Sequence, residues 1–434
     1  MKRLSKVFLL MCMECMIGAL IVGCGNEAKV ASSNSVVATN VAVPENTDDA
    51  EVTTTNEAVM ATSTPMVEAE VVSTPEAKTG KQTITISAVG DFLIHSQILD
   101  SQRFGDDVYN FAPNYEVVRP YLESPDLMIA NLETTLSGPD GGYSGYPCFN
   151  SPDILADCMK NLGIDVVVNL NNHSLDRRDA GAVRTRQVLA DRGFNVIGIR
   201  EKAEDKRYLV KDVDGVKLGM ITYCYSYKDE SGNPTLNGIP MGEDLEKCMN
   251  IFDPNNLEAA KTDMKQQIEA MKADGVDAIV FYMHWGEEYH LEPMPWQETL
   301  AQFLANNGVD IIYGDHPHVV EPYDLVKSTD GTHETHVIYS LDNFIAGQGT
   351  ICGMDAHTED GVIFSFDITK DWDTGKTVVE NPSYNATWIK VEDRKYQVVS
   401  EEDVDKLSSE AIKEQAKASF ARTKEIVESR INLR

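Results

Sequence analysis

Basic side chains are scarce in this chain of 434 residues: 38 lysines and arginines stand against 69 aspartates and glutamates, a formal net charge of −31 at pH 7. That balance excludes nucleic acid as a partner, because gripping a polyanion relies on clustered cations that displace its counterions. An anionic substrate would need a metal ion or a few placed cations. The eight cysteines give no disulfide framework. Cys12 and Cys15 lie in the opening apolar stretch and Cys24 at its end; the other five, Cys148, Cys158, Cys224, Cys248 and Cys352, are odd in number and irregularly spaced, which excludes a zinc ribbon as well. Residues 25–80 lack aromatic side chains altogether and are crowded with Ser, Thr, Ala, Val, Pro and Glu. Such a segment cannot bury enough apolar area to offset its ordering entropy, so it reads as a disordered stalk. No internal repeat is visible.

What is present begins with a targeting segment. Lys2, Arg3 and Lys6 precede the mostly apolar run Val7 to Val22, which Glu14 interrupts. It ends in Ile21-Val22-Gly23-Cys24, which resembles the lipobox of bacterial lipoproteins. The resemblance implies a signal peptide over 1–24, lipidation of Cys24 and an extracytoplasmic protein anchored to the bacterial cell membrane, since two or more acyl chains hold stably where one does not. The alternative is an uncleaved transmembrane anchor. Both readings place the remainder outside the cytoplasm, with folding expected to begin near Lys81.

From there, short apolar runs alternate with helical patterns. Strands are predicted at Thr83–Val89, Leu127–Ala130, Val166–Val168, Val196–Ile199, Val216–Tyr223, Ala278–Met283, Ile311–Tyr313, His336–Ser340 and Val362–Ile368. Helices are predicted at Pro152–Leu162, Ala180–Arg192, Leu257–Ala273 and Trp296–Asn307. The succession argues for an α/β fold with largely parallel, buried strands.

Chemistry-bearing residues follow those strands. Gly90-Asp91, Asn131-Leu132-Glu133, Asn171-Asn172-His173, His284-Trp285-Gly286-Glu287 and Gly314-Asp315-His316-Pro317-His318 each close an apolar run. Loops at the carboxyl ends of strands in an open α/β sheet share one edge, where ligands bind. Four of only nine histidines, two carboxylates and an amide would converge there as a metal cage. Taken singly, each has an ordinary use: Gly-Asp as a turn, Asn172 as a helix cap, His284 as a core histidine. His316-Pro317-His318 is harder to dismiss, because proline fixes its own φ and disfavours helix in the residue before it; the expectation is a stiff, extended tripeptide.

The ordered set GDFLIH, NLE, NNHSLD, HWGEE, GDHPH and YSLDNF, running from Thr83 to Phe344, resembles the motifs of the CapA family of poly-γ-glutamate capsule biosynthesis proteins, which resemble calcineurin-like metallophosphatases. The resemblance implies a multilayer sandwich of two sheets flanked by helices and two divalent metal ions, of which Mn, Fe or Zn suit such ligands. Carried over, it makes Asp91, Glu133, Asn172, His284, His316 and His318 metal ligands, with Glu133 as a bridge, and places His173 near the leaving group, with Asp176 as its catalytic companion. His95, Asn131, Glu287 and Arg177 are further candidates for metal or substrate contact. The chain departs from the pattern at Leu93, where a phosphatase has Asp-x-His, and at Asp315, Asp342 and Arg178. Asp342 stands where glycine is usual, but aspartate can adopt a left-handed turn.

Three functions follow: metal-dependent hydrolysis in poly-γ-glutamate synthesis or retention, phosphoester hydrolysis, or non-catalytic binding of polyglutamate. The partners implied are an anionic polymer or phosphoester, the membrane through a lipid anchor, and membrane proteins of capsule synthesis. The expected boundaries are a CapA-type domain over 81–370, with its motifs within 83–346, and a strand and helix extension over 371–434. Tyr225–Asn255 reads as a long loop that either covers the substrate or is a surface insertion. From Glu401, Val404, Leu407, Ile412, Ala416 and Phe420 are spaced for one amphipathic helix.

Overall fold

The computed structural model describes residues 78–431. The expected signal peptide, Cys24 and all but the end of the expected stalk lie outside the described residues. Fifteen strands build two main sheets. In chain order they are β1 (Lys81–Leu93), β2 (Leu127–Leu132), β3 (Val166–Val168), β4 (Asn195–Ile197), β5 (Leu209–Val213), β6 (Val216–Tyr225), β7 (Ile251–Phe252), β8 (Ala278–His284), β9 (Ile311–Asp315), β10 (Tyr323–Lys327), β11 (Glu334–Ile338), β12 (Asn343–Ala346), β13 (Asp360–Asp371), β14 (Thr377–Glu392) and β15 (Lys395–Ser400).

The first sheet has the order β15-β14-β13-β1-β2-β3-β4, with β12 also paired to β1; the second runs β7-β6-β8-β9-β11-β10, with β5 paired to β6. Their centres are parallel, as expected. Antiparallel strands flank them: β13, β14 and β15 in the first sheet, β5 and β10 in the second.

Alternation along each strand decides the layering, because successive side chains leave opposite faces. Ile86, Ala88, Ile129 and Val168 face Leu218, Val280, Tyr282 and Tyr313 in the core between the sheets. The outward residues Met128, Ala130 and Val167 pack under helices α1 (Ile154–Asn161) and α2 (Arg178–Asp191). On the far side, Ile279, Phe281 and Met283 lie under α3 (Leu257–Ala273) and α4 (Pro295–Asn306). The result is the two-sheet sandwich flanked by helices. α3 shows why it forms: Asn256 caps it by accepting from Ala259 N, and Ala260, Met264, Ile268 and Met271 bury one stripe. Each large apolar side chain so buried contributes about 1.5–3 kcal/mol relative to exposure.

The C-terminal region differs from expectation. β14 and β15 continue the first sheet as two strands rather than one, and β14 alone is 16 residues long. The tail is not a single helix either. Glu401–Lys406 forms a 3₁₀ segment, and α5 (Glu410–Val427) begins afresh where Ser409 caps the Ile412 N–H. Ser408 and Ser409 favour such local caps over helix continuation. α5 sets Ala416 and Phe420 against Trp388 and Val399. Among the described residues no helix is long and apolar enough to cross a membrane, and the five cysteines are free.

Candidate metal centre

The carboxyl ends of β1, β2, β3, β8 and β9 meet at one edge between the sheets, and they bring the expected residues together. Two sets of ligand atoms arise, each within 4.8 Å: Glu133 with His284 and His316, and Asp91 with Glu133 and His318. Glu133 belongs to both. All five side chains are buried.

Close packing makes this possible at two glycines. A Cβ on Gly90 would stand 1.7 Å from the Asp342 carbonyl oxygen, and one on Gly314 would stand 1.9 Å from that of Tyr339. Only glycine lets the crossing segment Tyr339–Asp342 lie directly over both strand ends. There the Asp91 N–H donates to Asp342 O (3.1 Å) and the Leu341 N–H to Gly314 O (2.9 Å).

The His-Pro-His turn departs from the extended form the sequence suggested. His316 has φ +104° and His318 φ +55°. The proline keeps His316 out of the right-handed helical region, but tertiary contacts select positive φ, a strained choice for residues with a Cβ that is common at functional sites. The turn sends His316 to one ligand set and His318 to the other. Asp342 adopts the left-handed turn expected of it (φ +65°), and so does Arg178 (φ +58°).

Amides order the carboxylates. Asn131 Nδ2 donates to Asp91 Oδ1 (2.7 Å) and Glu133 Oε2 (3.3 Å), so Asn131 holds the two acids and points its donors, not its oxygen, at them. Asn171 Nδ2 donates in turn to Asn131 Oδ1 (3.1 Å) and to Leu132 O (2.9 Å). Asn172 lies beside the imidazoles, its Oδ1 2.9 Å from His284 Nε2. His173 Nδ1 is 2.8 Å from Asp176 Oδ2, which also accepts from the Phe149 N–H (2.6 Å). That leaves His173 Nε2 facing Glu133 Oε1 at 4.0 Å.

Electrostatics reflect the crowding. Burial, then the neighbouring Asp91 carboxylate, pushes the Glu133 carboxyl well above the usual range, and the same causes raise Asp315, which accepts from the Tyr282 hydroxyl (2.7 Å). Asp91 is held low despite burial, because His318 Nδ1 stands 3.2 Å from its Oδ2; burial opposes charge on His318, yet that carboxylate raises its pKa. Burial depresses His284 to about 3 and His316 well below its ordinary value, so both imidazoles are neutral.

Do these residues fit divalent ions? Asp91 Oδ2, Glu133 Oε1, His284 Nδ1 and His316 Nδ1 are buried without a hydrogen-bond partner. Buried polar atoms are nearly always paired, so four orphans at one spot call for a partner that accepts lone pairs. Neutral imidazole and carboxylate are the ligand forms that Zn, Mn and Fe take. The set fits.

Other expected residues sit around this core. His95 reaches the cavity but not the ligand sets: its Nδ1 accepts from the Gly347 N–H (3.0 Å), and its ring meets Phe149 edge-on at 5.0 Å. Arg177 clamps the loop before Cys148, donating to Gly142 O (3.2 Å) and Ser144 Oγ (2.7 Å). Glu287 is exposed; its neighbour Glu288 lines the cavity instead. That cavity, about 450 Å³, opens over His173 and His318 between Tyr146, Phe149, Tyr289 and Met354. Two residues to which the motif resemblance gives no role also belong here: Asp315, and Asn343, whose Oδ1 lies 3.1 Å from His318 Nδ1. The stretch 225–255 is structured rather than loose. Its Leu236, Leu245 and Met249 pack with Leu170 and Leu175, Asn237 Oδ1 accepts from Asn172 Nδ2 (3.2 Å), and the Tyr225 ring stands 4.7 Å from His316.

Comparison with known proteins agrees with the motif reading. The capsule biosynthesis protein CapA of Bacillus anthracis is 25% identical over 279 residues, 61% of this chain and 60% of that protein. The PGA biosynthesis protein CapA of Bacillus subtilis (strain 168) is 24% identical over 308 residues, 69% of this chain and 71% of its own. The chain thus spans about three fifths of the length of the first relative. Among solved structures, the calcineurin-like phosphoesterase YfkN from Bacillus subtilis shares 16% identity at a TM-score of 0.40, covering 79% of this chain and 98% of that one. Residues 85–348 match the family described as bacterial capsule synthesis protein PGA_cap, and because that stretch holds every strand end that supplies the buried cluster, the chain belongs to this family.

Proposed function

We propose that this protein is a metal-dependent hydrolase acting in poly-γ-glutamate capsule synthesis or retention at the bacterial cell surface. The observation that carries the reading is the sharing of Glu133 by two ligand sets. One ion would be held by Glu133, His284 and His316 with Asn172 alongside, the other by Asp91, Glu133 and His318. Such a pair supplies Lewis acidity and lowers the pKa of water towards neutrality.

The chain's own residues supply the rest. Asn131 keeps Asp91 and Glu133 in fixed orientation. Asp176 fixes the ring and tautomer of His173, whose Nε2 is turned to the cluster and can hand a proton to a leaving group. Phe149, fully buried, meets His173 edge-on at 4.7 Å and limits water on that side of the ring. On this reading Cys24 carries the lipid, 25–80 is the tether and 81–370 the catalytic domain, with 371–434 attached to it.

Elemental analysis of the purified protein tests the site: two equivalents of Mn, Fe or Zn are expected, with one lost in His284→Ala and one in His318→Ala. Unchanged stoichiometry in both variants would sink the assignment. Incubation with γ-linked polyglutamate and with a chromogenic phosphodiester separates the reactions. Chain shortening supports the polymer hydrolase, phosphodiester turnover alone supports a phosphoesterase, and saturable binding without products leaves a binding protein.

A further inference from the structure

The cavity over the metal centre is not closed. Gln97 and Cys352 form part of its wall and also part of the wall of a second cavity of about 570 Å³, whose lining includes Asp393, Arg394 and Lys395. Ile351 lines both that space and a third, about 420 Å³, whose walls include Trp388 and Arg422. Each of the three spaces thus shares wall residues with the next.

We infer that these adjoining spaces form one track that holds a linear polycarboxylate chain, its reacting group at the buried cluster and its outer carboxylates at Arg394 and Lys395. The inference rests on the proposed anionic substrate and adds where the rest of that substrate lies. Three observations carry it. The inner cavity has no lysine or arginine in its lining and includes Glu288, so it offers no cation to carboxylates beyond the reacting group. The outer cavity does. Arg394 stands at the tip of the β14–β15 hairpin, where Asp393 (φ +50°) and Arg394 (φ +62°) make a two-residue turn of the kind that fixes hairpin tips. Arg394 and Lys395 are exposed and make no ion pair among the described residues, while the nearby Glu392 is engaged by Lys390 and Ser408.

In a protein with net charge −31, two adjacent cations beside a cavity create a local field opposite to that of the whole chain. Asp100 and Asp393 line the same space, so the carboxylates would be held at the two cations and kept apart from the two aspartates. Between the two cavities, the 3₁₀ turn Thr350–Cys352 leaves Ile351 60% exposed, an apolar surface for the methylene groups of such a chain. The hairpin lies beyond residues 85–348, the segment that matches the family.

Fluorescence anisotropy with the full-length, manganese-loaded protein tests this, using labelled γ-linked glutamate dimer and octamer as probes. The octamer should bind about tenfold more tightly than the dimer, and Arg394→Glu/Lys395→Glu should collapse that ratio towards one. Arg394→Gln/Lys395→Gln should reduce it less. Equal affinities for the two probes, or a ratio unchanged in the glutamate variant with parent-like circular dichroism and metal content, would overturn the subsite. Loss of bound metal in the parent protein would count against the hydrolase reading instead, so the two failures are distinguishable.

Discussion

The two sheets contribute opposite chemistry to the same edge. The first delivers acids and amides, Asp91, Asn131, Glu133 and Asn172, together with His173; the second delivers the imidazoles His284, His316 and His318. The carboxylate ligands thus come from one half of the sandwich and the imidazole ligands from the other. Each ligand set draws on both halves, so a cation bound there ties one sheet to the other. Metal affinity and sheet docking become linked quantities, because ions that bind only the folded arrangement add their binding energy to stability.

The sharpest way to break this picture is Glu133→Gln, which keeps the shape and removes the charge common to both sets. Elemental analysis should find both ions lost, whereas retention of either would show that the sheets assemble independent sites. His173→Ala comes next. It leaves the ligands intact, so metal content should hold while turnover falls roughly 10²–10⁴-fold, as loss of a proton donor does. Chelation then asks how far bound ions join the halves: at free metal a hundred times Kd each ion adds about 2.7 kcal/mol, and the temperature of thermal unfolding should drop accordingly after metal removal. An unchanged melting temperature would separate docking from binding.

The smallest effect concerns His95, which lines the cavity from the first sheet. Burial lowers its pKa from 6.5 to about 4. Below pH 6.5 the unfolded chain takes up a proton that the folded one refuses, so stability is intact above that pH and declines as pH falls towards 4. His95→Gln should flatten the urea midpoint across that window, and an imidazole NMR titration near 6.5 would contradict the burial.

Much of this site was legible because buried parallel strands read as apolar runs and end abruptly in polar residues. Val166–Val168 and Leu257–Ala273 fall at the expected bounds, and the polar residues after each run proved to be neighbours. The misreadings came where tertiary structure overrode a local rule. Proline's preference for an extended predecessor pointed to an open His316-Pro317-His318, but directing two rings to two ligand sets needs a turn. The extension's expected single strand resolves into two because most of Thr377–Glu392 is exposed or half-buried, so its apolar side chains form no continuous buried run that marks its bounds. The tail's spacing ignored two serines able to cap a new helix. Asp315 was noticed only as a departure; nothing local shows that Tyr282, on the neighbouring strand, would meet it.

One short crossing has wider reach than its length suggests. Tyr339–Asp342 leaves β11 in the second sheet, enters β12 in the first and rests on the two glycines that precede Asp91 and Asp315. An inserted residue there would shift the register of both halves at once, so this stretch should be the least tolerant of length change in the molecule.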